Sequence, residues 1–110
     1  MATVEIKGGI CGFKTIVRAE DKSGYKAIFR LESECRNWMK VDEILGGKEL
    51  NMMTELFKNR ATERLDSQVL EVSLKTIPHV SCPVVSGLLK ALEVSVGLAL
   101  PKDAAIQFID

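Results

Sequence analysis

Residues Phe13 to Ser33 alternate apolar and polar side chains, with one interruption at Asp21-Lys22-Ser23-Gly24. A period of two is the signature of a strand with one face buried and the other in water. The short polar segment closed by glycine is a hairpin turn signal. In the first run Phe13, Thr15, Val17 and Ala19 share a face, opposite Lys14, Ile16 and Arg18. In the second, Tyr25, Ala27, Phe29 and Leu31 share a face, opposite Lys26, Arg30 and Glu32. Thr3 to Lys7 is a further β-branched-rich segment that stops at Gly8-Gly9. The N-terminal part is therefore expected to form a small three-stranded antiparallel sheet.

After Cys35 the period changes. Trp38, Val41, Ile44 and Leu45 recur at helical spacing, and Gly46-Gly47 supplies a stop. A short second helix is expected with Leu50, Met53, Leu56 and Phe57 as its stripe, and Lys58 to Asp66 reads as loop. Val69 to Ile77 fits both periods, and the alternation of Leu70, Val72 and Leu74 favours a strand. From Pro83 to about Val96 a broad stripe of Val84, Val85, Leu88, Leu89, Leu92 and Val96 predicts the longest helix, closed by Gly97 and Pro101. Ala104 to Ile109 has strand-like composition, compatible with an extra C-terminal edge strand. The expected architecture is one α+β domain over residues 1–110, a sheet packed against C-terminal helices in two layers.

Fifteen basic residues balance fifteen acidic ones and are scattered, so nothing favours nucleic acid or an anionic membrane as a partner. No apolar run approaches the roughly 18 residues needed to span a bilayer. The first residues lack a secretory pattern, which points to a cytoplasmic protein. Three cysteines are an odd number, and in a reducing compartment they are free thiols, metal ligands or redox groups.

Those cysteines and the single histidine stand where elements meet. Cys11 lies in Gly-Gly-Ile-Cys-Gly-Phe, where glycines allow a sharp turn and Gly12 offers an amide to a sulfur ligand. Cys35 falls at a strand-to-helix junction. Cys82 precedes the longest helix, with Ser81 as expected cap and Pro83 in the first turn. That position, at the positive end of the macrodipole, favours the thiolate that a metal or a nucleophile requires. His79 stands three residues before Cys82, a spacing from which both can reach one ion. Thiolates and a neutral imidazole suit zinc or an iron–sulfur cluster. Met39, Met52 and Met53 read as core filler, and Glu32, Glu34, Asp42 and Glu43 as solvated faces. The residues fit neither a nucleophile elbow, a phosphate loop nor a dinucleotide fingerprint.

In order, these pieces resemble the iron–sulfur cluster scaffolds of the NifU/IscU type. The family has a three-stranded antiparallel sheet followed by helices, and three cysteines at one tip. Cys11-Gly12 resembles its first cysteine turn, and Cys35, 24 positions later, resembles its second at a helix start. Trp38 to Leu56, with Gly46-Gly47-Lys48-Glu49-Leu50, resembles its helix, glycine–lysine loop and second helix. Cys82 ahead of Val84 to Leu92 resembles its third cysteine. The chain has Phe13 where the family has aspartate, separates His79 from Cys82, and has Leu74-Lys75-Thr76-Ile77-Pro78 in place of the chaperone-recognition motif. It thus resembles a divergent relative.

The resemblance implies a zinc ion or iron–sulfur cluster held by Cys11, Cys35 and Cys82. His79 or a nearby carboxylate would complete the set, and partners would come from cluster assembly. The role implied is carriage rather than catalysis. Two other classes stay open: a thiol or redox enzyme using Cys82 as nucleophile, and an interaction domain with inert cysteines.

Overall fold

Alternation becomes a meander. In the computed structural model, which describes residues 1–79 and 81–110, strands β1 (Ala2–Lys7), β2 (Lys14–Asp21) and β3 (Lys26–Ser33) pair antiparallel in chain order. Val80, in the middle of the Pro-His-Val-Ser-Cys run, lies outside the described residues. The register aligns apolar rows across the strands: Val4 opposite Val17 and Val17 opposite Leu31, Ala2 opposite Ala19 and Ala19 opposite Phe29. Val17, Ala19, Ala27, Phe29 and Leu31 are buried on the face that the helices cover. Arg18, Arg30 and Glu32 stand on the other face, in water.

The hairpin ends depart from the alternation. Tyr25 is half exposed with φ of 60°, and its carbonyl accepts from the Met52 amide at 2.8 Å. It belongs to the turn rather than the core face, because the turn runs from Lys22 through Tyr25. Phe13, at the other end, is 45% exposed just before β2. A fourth strand exists, but not where composition suggested. It is β4 (Leu50–Asn51), two residues that pair with Lys26 and Ala27 of β3. Residues 101–110, by contrast, are exposed and irregular.

Helix α1 (Arg36–Leu45) buries Trp38, Val41 and Leu45, while Ile44 remains 44% exposed. Its end is fixed by Gly46, whose amide donates to the Asp42 carbonyl at 2.7 Å, and by Gly47 at φ of 79°. Helix α2 (Met52–Glu55) is a single turn. It buries Met52 and Glu55; of the expected stripe Leu50 and Leu56 pack on the core, while Met53 and Phe57 point outward.

Val69 to Ile77 is helical, contrary to the strand expectation: α3 spans Gln68–Thr76. Two groups commit it. The Ser67 hydroxyl accepts from the Leu70 amide, and the buried Glu55 carboxylate accepts from the Gln68 and Val69 amides at 3.0 and 2.9 Å. Donors that a helix start leaves unpaired are thus satisfied. Val69 and Ser73, four apart, face the core.

Helix α4 (Val84–Ser95) buries Val84, Leu88, Ala91 and Leu92 and lies across β1 and β2. Gly87, one turn into it, rests on Ile6, where an added Cβ would overlap the isoleucine side chain. The result is α+β, a four-stranded antiparallel sheet with helices on one face. No helix among the described residues is long and apolar enough to cross a membrane.

Candidate functional site

The turn between β1 and β2 is a one-turn 3-10 helix over Gly9–Cys11, closed by Gly12. Gly9 and Gly12 have φ of 81° and 73°, in the left-handed region that disfavours side chains. The Gly8 amide donates to the Phe13 carbonyl at 2.9 Å, which pinches the base of the loop. Cys11 is exposed, with its Sγ folded back over Gly8: a Cβ added there would stand 2.5 Å from the sulfur. The Gly12 amide donates to the Gly9 carbonyl at 3.0 Å, so in this arrangement it serves the turn rather than a sulfur.

Beside the loop runs the β3–α1 junction. Glu34 bridges the two: its amide donates to the Lys14 carbonyl at 3.1 Å, and its carboxylate accepts from the Lys14 amide at 2.7 Å. Cys35, the next residue, is the N-cap of α1 and makes no capping bond with its side chain. Its amide donates to Ser33 Oγ at 3.0 Å, and that hydroxyl is paired at 2.7 Å with Thr15 Oγ1 of β2. The position of Cys35 is thus tied to the sheet. Lys7, Gly8, Gly9, Gly12, Lys14 and Glu34 enclose an open hollow of about 530 Å³ between loop and junction.

Cys82 lies just before α4. Gly87 of that helix sits on Ile6, the penultimate residue of β1, and the helix packs on β1 and β2. Pro83, rather than Ser81, is the N-cap, and no side chain caps this helix. Cys35 and Cys82 are half-buried against the hydrophobic core, and all three cysteines are free thiols.

Placement and convergence differ. Among the described residues, no three Cys, His, Asp or Glu side chains are grouped as a metal ion would require. His79 is exposed and lines a separate hollow of about 120 Å³ with Leu70, Ser73, Leu74, Ile77 and Val85, between α3 and α4. The geometry thus brings the Cys11 loop and the Cys35 junction together at one end of the sheet, and places His79 in the hollow between α3 and α4. Glu34 was expected on a solvated face; its link to Lys14 shows that it also fastens loop to junction.

Over residues 2–108 the chain matches the family of unknown function DUF6951, and it belongs to that family. No curated protein and no solved structure matches it.

Proposed function

We propose that Cys11, Cys35 and Cys82 together bind a zinc ion or an iron–sulfur cluster, and that the protein carries or helps assemble that centre. The observation behind this reading is that the β1–β2 loop and the start of α1 adjoin, joined by Lys14 and Glu34; Cys82, ahead of α4, would join them on binding. Packing does not require a cysteine at position 11, since Cys11 is exposed. The donor set has the soft character that zinc and iron–sulfur centres take. The order of sheet, cysteine junctions and long helix also agrees with the resemblance to NifU/IscU-type scaffolds.

The centre would be assembled on binding. Cys35 is held by Ser33 and Thr15, and Cys82 packs on the core. Cys11 sits on a glycine-hinged turn, so closure falls to that turn. A fourth position falls more naturally to Glu34, beside Cys35 and the loop, than to His79 on the α3 side. A cytoplasmic setting, where thiols stay reduced, suits such a site.

Anaerobic purification with zinc or with iron and sulfide supplied, followed by elemental analysis and a visible spectrum, tests the reading. Stoichiometric zinc, or iron and sulfide in matched amounts with thiolate-to-iron absorption, is the expected result. Protein that retains neither, even after reconstitution, overturns it. So does metal-free protein with one fast-reacting thiol at Cys82 and indifferent Cys11 and Cys35, which would mark a thiol enzyme.

A further inference from the structure

Past Val96 and Leu98, which still pack on the core, the chain adds no strand to the sheet. Residues 101–110 are exposed throughout, and Ile106, Phe108 and Ile109 are 86%, 95% and 97% exposed. Within this stretch Ala104 to Ile109 contains no charge, proline or glycine, and its Ile and Phe favour strands. Adjacent large apolar side chains held in water are the mark of a surface that meets a partner.

The fold offers a complement on the same chain. β1 is an edge of the sheet, with β2 on one side and no strand on the other among the described residues. Its six residues pair regularly with β2, with neither a proline nor a bulge to deter a further strand. Its core-facing Val4 is only half-buried, so the apolar row of Val4, Val17 and Leu31 ends open.

We propose that Ala104–Ile109 of one copy adds as an antiparallel strand to β1 of a second copy, reciprocally about a twofold axis. In the register that suits both surfaces, Phe108 stands beside Val4 and Ile106 beside Ile6. Phe108 then extends the Val4–Val17–Leu31 row, and Gln107 lies outward beside Glu5. Backbone pairing supplies the generic attraction, and the two apolar side chains fix the register.

Reach and reciprocity favour a second copy. Residues 101–110 are exposed and form no strand with their own β1. Ten extended residues reach at most about 33–36 Å, enough to cross to a neighbour of a molecule 29 Å broad. Each copy presents both the strand and the edge, so one symmetric exchange satisfies both.

Light scattering after size exclusion decides the point on three proteins: the full chain, the chain shortened after Lys102, and the double variant Ile106→Asp/Phe108→Asp. The full chain is expected at twice 12.1 kDa and both others at the mass of a single chain, with circular dichroism showing the same fold. Hydrogen exchange is expected to protect residues 104–109 and the β1 amides in the full chain only. A monomeric full chain overturns the proposal, whether residues 104–109 are protected on their own β1 or unprotected. A dimer that survives in the double variant overturns it too, because another face must then hold the copies together.

Discussion

The buried carboxylates and the three thiols are both functional groups in a small α+β protein, yet the fold treats them oppositely. Glu55 and Asp42 are 1% and 4% exposed. Glu55 accepts from the Ser67 hydroxyl and from two α3 amides. Asp42 accepts from the Leu31 amide at 2.8 Å and from Arg30. Each carboxylate joins elements distant in sequence and is fully engaged by the scaffold. The cysteines sit on junctions that other groups hold together: Glu34 and Lys14 for the loop, Ser33 and Thr15 for the start of α1, Gly87 on Ile6 for α4. Polar groups with a structural task are enclosed by their partners, whereas Cys11 is left in water and Cys35 and Cys82 rest half-buried against the core.

Mutations can break that contrast, and the carboxylates should give the largest effects. Glu55→Ala leaves buried donors at the start of α3 without an acceptor. A loss of about 3 kcal/mol is expected in urea unfolding, with α3 amides losing hydrogen-exchange protection first. Asp42→Ala should cost about 2 kcal/mol, mostly through the orphaned Leu31 amide. The Arg30 pair adds little to this, because the arginine side chain is 63% exposed and screened by water. Gly87→Ala forces a methyl group into Ile6 and should cost about 1–2 kcal/mol, as overpacking does. It should also lower metal uptake in reconstitution, since it lifts the start of α4 from the sheet.

Smaller changes sharpen the comparison from the other side. The Ser73 hydroxyl is 1% exposed with no hydrogen-bond partner among the described residues. Ser73→Ala should therefore raise the urea midpoint, by about 0.5–1 kcal/mol in stability. Cys11→Ser should alter metal-free stability by less than about 0.5 kcal/mol, as exposed substitutions do. A large loss there would show that the thiol is structural and would erase the contrast.

The sequence reveals most where one physical effect dominates. One-sided burial makes β2 and β3 legible from alternation alone, and the 3.6-residue period does the same for α1 and α4. At the hairpin ends alternation misleads: Tyr25 continues the pattern on paper, but its left-handed backbone takes it out of the strand. In α3, the alternating Leu70, Val72 and Leu74 hide a helix secured by Ser67 and by Glu55, twelve and more residues away. The Glu71–Lys75 pair, four apart and joined at 3.0 Å, is the local signal that favours helix. β4 is too short to have a pattern, since its pairing depends on where α1 returns the chain. For the candidate site, the junctions bearing cysteines are readable, because glycines and changes of period mark them. The meeting of the first two is tertiary, set by the contact of Glu34 with Lys14.

The central claim is that Cys11, Cys35 and Cys82 act as one site. Cobalt(II) titration of reduced protein under anaerobic conditions, comparing the unaltered chain with Cys11→Ser, Cys35→Ser and Cys82→Ser, tests it most directly, because thiolate–cobalt absorption reports sulfur ligands. The account predicts saturation at one ion per chain, with the thiolate bands weakened in all three variants to a similar degree. Binding absent in the unaltered chain, or unchanged when any one of the three is replaced, would contradict it.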